Sequence, residues 1–216
     1  APPFPTSAGW RGVALPFSSF RHSAGMSGAP PDPRDITSIG IVAYGRDHEA
    51  DLSVADMTIY CGVMAPGGTE QDGNAMASEP LTFSMTPDMA AHWRFITDGV
   101  MGGVSRGGLR FGQDAEGTGS ARMTGTVSTA NNGGFIQFRA GVDFAGLVDR
   151  GADPAGLRLR VRGNGESYYV HLRTRANRRP WHYYAATFPT SAGWQEVDLP
   201  FSSFRHSAGM SGAPPD

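Results

Sequence analysis

One stretch of this chain occurs twice. FPTSAGWRGVALPFSSFRHSAGMSGAPPD, from Phe4 to Asp32, returns from Phe188 to Asp216 with three changes: Gln195 for Arg11, Glu196 for Gly12 and Asp198 for Ala14. Near identity at one long spacing, with nothing between repeated, excludes a solenoid, in which three or more diverged copies recur at about 20–50 residues. Two readings fit. The chain is either a window cut across two tandem domains or one domain circularly permuted with a duplicated overlap. In both, the natural order runs from about Ser78 to Asp216 and then resumes at Pro33. CGVMAPGGTEQDGNAMASEP, from Cys61 to Pro80, has the Gly, Asn, Gln and Pro content of a flexible connector.

Read in that order, the chain alternates strands and turns. Leu157, Leu159 and Val161 alternate with Arg158, Arg160 and Arg162, the period of a half-buried strand. Asn164-Gly165 is the strongest short hairpin signal, so the next strand is expected to pair with that one, with Tyr168, Val170 and Leu172 on one side and Tyr169, His171, Arg173 and Arg175 on the other. A third strand is expected over Trp181 to Phe188, and Val197 and Leu199 mark another that ends at Pro200. Ile39 to Ala43 and Leu52 to Ile59 read as two more. Asp88 to His92 is the one plausible helical turn. The 30 glycines and 16 prolines suit many short strands. The fold class is all-β, a β-sandwich or jelly roll. The organisation expected is a duplicated segment (1–32), closing strands (33–60), a linker (61–80) and the main body of the same sandwich (81–216).

Several chemistries are excluded at once. All 18 basic residues are arginine, so no lysine is present for a Schiff base or a P-loop. The single cysteine, Cys61, forms neither an internal disulfide nor a zinc cluster. No cofactor and no metal are expected. No run approaches the roughly 18 apolar residues of a membrane helix, and no targeting signal is visible, which points to a cytoplasmic protein. The net charge of −2 gives no general attraction to nucleic acid.

Gly103-Val104-Ser105-Arg106-Gly107 matches G-x-S-x-G. A nucleophile elbow needs a helix to follow, whereas GGLRF reads as a strand, so a catalytic Ser105 is not expected. DGVMGG, from Asp98 to Gly103, reads as a tight loop in which Asp98 caps neighbouring N–H groups, with a ligand-lining role as the alternative. His171 and His182 lack a third ligand at suitable spacing and read as exposed strand histidines.

WRFITDGVMGGVSRGG (Trp93 to Gly108), GGFIQFR (Gly133 to Arg139), GLRLRVRGNGESYYVHLRT (Gly156 to Thr174) and GWQEVDLPFSSF (Gly193 to Phe204) together resemble the successive signature blocks of the complex I intermediate-associated protein 30 family. DITSIGIVAYGRDHEADLSVADMTIY, from Asp35 to Tyr60, is similar to that family's closing block, displaced to the front. Ala50, Leu52 and Val54 stand where the family pattern presents Gly-x-Phe-x-Leu, which leaves an aromatic missing. The resemblance implies a galactose-binding-like jelly roll without enzymatic activity. In mitochondrial relatives it implies a chaperone-like role in assembling respiratory complex I, with complex I subunits or assembly intermediates as protein partners.

Between Leu157 and Phe188 seven arginines face one acid, Glu166. A solvated, charged sheet face is one reading. The other is a working surface, because arginine beside Trp181, Tyr183 and Tyr184 can stack on a sugar, grip an anion or anchor a protein. The candidate binding residues are Trp93, Asp98, Arg139, Arg160, Tyr169, His171, Arg173, Trp181 and Tyr183, with Arg139, His171, Arg173 and Trp181 near the centre. Three functions follow: a protein-interaction or assembly module, a carbohydrate-binding module with a sugar ligand, and anion or RNA binding. Both copies of the duplicate fit one slot in the sheet, since Val13 and Leu15 match Val197 and Leu199. Gly12 disfavours the first copy there, so the second is expected in the sheet and the first loose or exchanged in a strand-swapped dimer.

Overall fold

The computed structural model describes residues 30–61, 81–113, 117–177, 179 and 182–207. Their alternating apolar positions build twelve strands: β1 (Ile36–Tyr44), β2 (His48–Cys61), β3 (Leu81–Ser84), β4 (Arg94–Thr97), β5 (Arg106–Gln113), β6 (Gly119–Val127), β7 (Phe135–Gly141), β8 (Pro154–Gly163), β9 (Ser167–Thr174), β10 (Tyr184–Pro189), β11 (Gln195–Pro200) and β12 (Arg205–His206). They form two sheets of antiparallel neighbours. The first has the order β12-β10-β9-β1-β7-β4, and the second β11-β8-β2-β6-β5, with β3 added beside β2.

The two sheets bury one core between them. Ile39 and Ile41 of β1, Ile136 and Phe138 of β7, and Tyr168, Val170 and Leu172 of β9 point inward from the first sheet. Leu52, Val54, Met57 and Ile59 of β2 meet them from the second, with Leu157, Leu159 and Val161 of β8. Period-2 burial on one face of each sheet is the pattern of a sandwich. Ala50, Leu52 and Val54 are all buried, so the site of the missing aromatic is still core.

The segment read as displaced supplies the middle of both sheets. β1 lies between β7 and β9, and β2 between β8 on one side and β6 and β3 on the other. Strand pairing depends on backbone complementarity and buried alternation, which chain order does not alter. Of the duplicate, Gln195–Pro200 forms β11 against β8, and Phe201 and Phe204 are buried beyond it. Residues 1–29, the connector after Cys61 and Trp181 lie outside the described residues; at the end of the first copy Pro31 is buried and Asp32 caps the 3-10 turn Pro33–Asp35.

Two expectations need correction. Asn164-Gly165 does not close a hairpin: β8 belongs to the second sheet and β9 to the first. The chain crosses the core edge there. Tyr168 O–H donates to Asn164 Oδ1 (2.8 Å), Asn164 Nδ2 donates to the Glu49 carbonyl (2.8 Å), and the Asp51 N–H donates to the Tyr168 hydroxyl (2.8 Å). These bonds pin the corner to β2 instead of turning it back on β8. Second, a short helix α1 (Phe144–Asp149) was not read from the sequence. Its N-cap Asp143 accepts from the Gly146 N–H, and six residues are too few for periodicity to register. The turn expected at Asp88 to His92 is a 3-10 turn over Pro87–His92. Among the described residues no helix is long and apolar enough to cross a membrane.

Candidate binding cleft

The crossing at Asn164-Gly165 divides the basic face in two. Because β8 and β9 point their apolar residues into the same core from opposite sheets, their outward residues point to opposite sides of the sandwich. Arg158, Arg160 and Arg162 therefore lie on the outer face of the second sheet. Arg158 pairs with Asp198 (2.7 Å) and Arg122 with Asp51 (2.7 Å), while Arg160 and Arg162 sit over the Trp194 ring at 5.4 and 4.7 Å. This is a solvated, charge-paired surface. Arg160 is thus not beside the other candidates.

The outer face of the first sheet is different. Four strands run side by side there in the order β4-β7-β1-β9, and their registers line up rows of outward side chains. One row is Ile96, Gln137, Val42 and Tyr169. The next is Arg94, Arg139, Gly40 and His171. Gly40 has no side chain between Arg139 and His171, and the Gln137 amide lies over it: a Cβ there would stand 3.1 Å from Gln137 Oε1. A cleft of about 590 Å³ opens over these rows, lined from β1 by Val42 and Tyr44, from β7 by Phe135, Gln137 and Arg139, and from β9 by His171 and Arg173, with Ile96 and Tyr183 at its sides. Beside it, Arg94 and His92 border a smaller hollow that shares Arg139 and Arg173.

One rim is the 3-10 turn Asp98–Met101, which carries Val100 and Met101 into the cleft wall. Asp98 fixes it. The Asp98 side chain is fully buried and accepts the N–H groups of Ser105 (3.0 Å), Gly134 (2.6 Å) and Phe135 (3.3 Å), together with the Ser105 hydroxyl. Burial alone would raise its pKa, but these bonds outweigh it and hold the carboxyl below the usual range. Gly103 and Gly133 lie too close to Asp98 to admit a Cβ, and Gly102 ends the turn at φ +87°. The capping role read for Asp98 is present. Ser105 passes the network on by accepting the Ser128 N–H (3.0 Å), and it is followed by strand β5 rather than by a helix.

His171 is not an exposed strand histidine. Its ring stacks on Tyr183 with centroids 3.9 Å apart and planes 12° apart, and Tyr44 approaches both His171 and Tyr169 edge-on at 6.0 Å. Nε2 of His171 is buried with no hydrogen-bond partner. Burial lowers the imidazole to about 3, so the ring is neutral at ordinary pH. Burial likewise raises the Tyr183 phenol, which is hydrogen-bonded to Tyr44. Arg173 is anchored by donating to the carbonyls of Asn177 (3.1 Å) and Arg179 (3.0 Å). Its pKa is lowered by burial and by the nearby charge of Arg139. Among the described residues no carboxylate pairs with Arg139 or Arg173.

Of the residues singled out from sequence, Arg139, His171, Arg173 and Tyr183 converge on the cleft, and Tyr169 flanks it beside Tyr44. Asp98 supports its rim from inside. Trp93 is buried in the core, edge-on to Phe138 at 5.2 Å. Sequence reading missed Val42, Tyr44, Ile96, Val100, Met101, Phe135 and Gln137. The outward positions of β1 and β7 were available from their alternation, and the apolar pair inside DGVMGG was a second signal.

Among the described residues no group of three or more His, Cys, Asp and Glu could hold a metal ion. The molecule is an all-β sandwich with a cationic, aromatic-lined cleft on one sheet. It belongs to the complex I intermediate-associated protein 30 family, an assembly-factor family whose model matches residues 81–213. That stretch begins at β3, so β1 and β2, the centre of both sheets, come from outside it. No curated protein and no solved structure gives a significant match.

Proposed function

We propose that this chain is a non-enzymatic binding domain that acts in complex I assembly, and that the cleft over β4, β7, β1 and β9 is the surface with which it holds its protein partner. One observation carries the reading: two guanidiniums, Arg139 and Arg173, share a concave apolar and aromatic cleft with no carboxylate to neutralise them. Holding like charges together costs free energy, which the Asn177 and Arg179 carbonyls offset in part for Arg173 and an acidic partner would offset further. Family membership supplies the biological setting. The galactose-binding-like jelly roll and the strand-permuted order remain part of this reading.

The non-enzymatic part is supported by what the reactive groups are already doing. The Ser105 hydroxyl is committed to Asp98, and among the described residues the cleft's imidazole, His171, lies against Tyr183 with no Ser, Thr or Cys in the lining. A sugar ligand is the second reading, favoured by Tyr44, Tyr169 and Tyr183 around one opening. RNA binding loses its support, because the arginines of β8 lie on the opposite face, where Arg158 is paired with Asp198 and Arg160 and Arg162 lie over Trp194.

The test is affinity capture from the source cell, with the full chain as bait and mass spectrometry as readout. Complex I subunits or assembly intermediates should be enriched by the wild type and lost with Arg139→Gln/Arg173→Gln. Equal enrichment by both baits, or none of complex I origin with either, would overturn the proposal.

A further inference from the structure

The cleft also carries information about what it holds. Among the described residues its charged lining is two guanidiniums with no acidic side chain, while the Gln137 amide and the Tyr44 and Tyr183 hydroxyls both donate and accept. A neutral sugar carries no charge with which to offset two adjacent guanidiniums. Two adjacent guanidiniums suit a group that accepts and carries negative charge. His171, neutral and with its Nε2 buried, adds no charge to this lining.

The rest of the cleft is apolar. Val42, Ile96, Phe135 and Met101 line the part away from the guanidiniums. A phosphate or a nucleic-acid backbone would leave these surfaces uncovered. The apolar surface also extends past the cavity: Val100 is 74%, Met101 54% and Val104 43% exposed, all on the loop that forms the rim. Large apolar side chains gathered on one exposed loop mark an interaction surface. A small ligand filling about 590 Å³ would not reach Val104, which does not line the cavity, whereas a polypeptide crossing the rim would.

We propose that the cleft receives an acidic-apolar segment of the partner protein, with a carboxylate between Arg139 and Arg173 and the neighbouring apolar side chain against Phe135, Ile96 and Met101. This rests on the cleft being the partner-binding surface. The carboxylate relieves the repulsion between the two arginines. The apolar side chain covers the opposite end, and the segment then leaves over Val100 and Val104. Recognition by anchor side chains in a groove, with one charge fixing the register, is a common mode of peptide capture.

The test uses the full ¹⁵N-labelled chain and follows amide shifts as probes are added. The main probe is a capped hexapeptide of alternating leucine and glutamate. Its counterpart has glutamine in place of glutamate, and octanoate, galactose and inorganic phosphate complete the set. The acidic peptide should shift amides in Phe135–Gly141 and Ser167–Thr174 and bind about tenfold or more tightly than the glutamine peptide, a margin equal to one charge-assisted contact. Arg139→Gln/Arg173→Gln should abolish that margin, and Met101→Ser should weaken both peptides alike, with dispersed spectra reporting that each variant is folded. Equal binding of the two peptides, tighter binding of octanoate, galactose or phosphate, or no shift from the acidic peptide would overturn the inference. If the acidic peptide fails while wild-type capture of complex I components still depends on Arg139 and Arg173, this partner chemistry is wrong and the binding-domain reading stands.

Discussion

The Gly134 N–H donates to Asp98 Oδ2 at 2.6 Å, tying the turn that forms the rim of the cleft to the start of the strand that forms its floor. Three backbone N–H groups and one hydroxyl depend on that carboxylate. Each donor left unsatisfied in a buried site costs about 1–3 kcal/mol. Asp98→Ala should therefore destabilise the fold by about 3 kcal/mol or more, lowering Tm by about 6–12 °C for a chain of this size. Asp98→Asn should fall short of the wild type as well, because its amide N–H₂ would confront these donors. An unchanged Tm in thermal unfolding would mean that Asp98 is not the anchor of the rim.

His171 makes stability depend on pH. Its folded value, about 3, lies below the value of about 6.5 in an unfolded chain. The unfolded chain therefore takes up the proton first, and the contribution of the neutral, stacked ring is intact above about pH 6.5 and is lost as pH falls towards 3. Tyr44, Tyr169 and Tyr183 surround the ring, and Arg139 and Arg173 share its cleft, so no neighbouring acid among the lining residues favours the imidazolium. His171→Phe keeps a ring on Tyr183 and removes the titration. Between pH 7 and pH 5 the Tm of the wild type should fall more steeply than that of the variant. Parallel profiles would contradict this.

β1 and β2 stand at the centre of the two sheets, although the family match begins only at residue 81. Removing 33–61 should leave 81–216 without cooperative unfolding, and moving that segment to follow Asp216 should restore it. Residues 1–29 should be dispensable: a chain starting at Pro30, which keeps buried Pro31 and the Asp32 cap, should unfold at the wild-type Tm, and any dimer formed by exchange of the first copy should disappear from size-exclusion profiles. A marked loss of stability on removing 1–29 would mean that the first copy has a place of its own in the fold.

Much of this fold was legible because alternation states which side chains face inward. Leu157, Leu159 and Val161, and then Tyr168, Val170 and Leu172, were read correctly as two inward rows and are buried. Alternation does not say which sheet a strand joins. A two-residue Asn-Gly turn looks the same whether it closes a hairpin or rounds the edge of a sandwich. Here the long-range bonds of Asn164 and Tyr168 to β2 decide, and they are invisible in a local window. The same limit explains the site. Arg160 and Arg173 look like members of one basic face in sequence and lie on opposite sides of the molecule. His171 was read as outward, which it is, but the stacking of Tyr183 over it depends on how the chain re-enters at β10.

Arg139 and Arg173 differ as reporters. Arg173 holds two carbonyls of the turn that follows β9, so Arg173→Ala should cost about 1–2 kcal/mol of stability along with binding. Among the described residues Arg139 has no such hydrogen bond, and Arg139→Ala should stay within about 0.5 kcal/mol of the wild type in denaturant unfolding. A larger loss for Arg139→Ala would assign it a structural role.

On the proposed function the cleft, and not the opposite face, holds the partner. The most direct measurement is quantitative capture from the source cell with three folded baits: wild type, Arg139→Ala and Arg160→Ala. Complex I components should be retained by the wild type and by Arg160→Ala and depleted about tenfold or more by Arg139→Ala, in keeping with the loss of a charge in a desolvated contact. Retention by Arg139→Ala together with depletion by Arg160→Ala would put the binding surface on the other sheet and contradict the account.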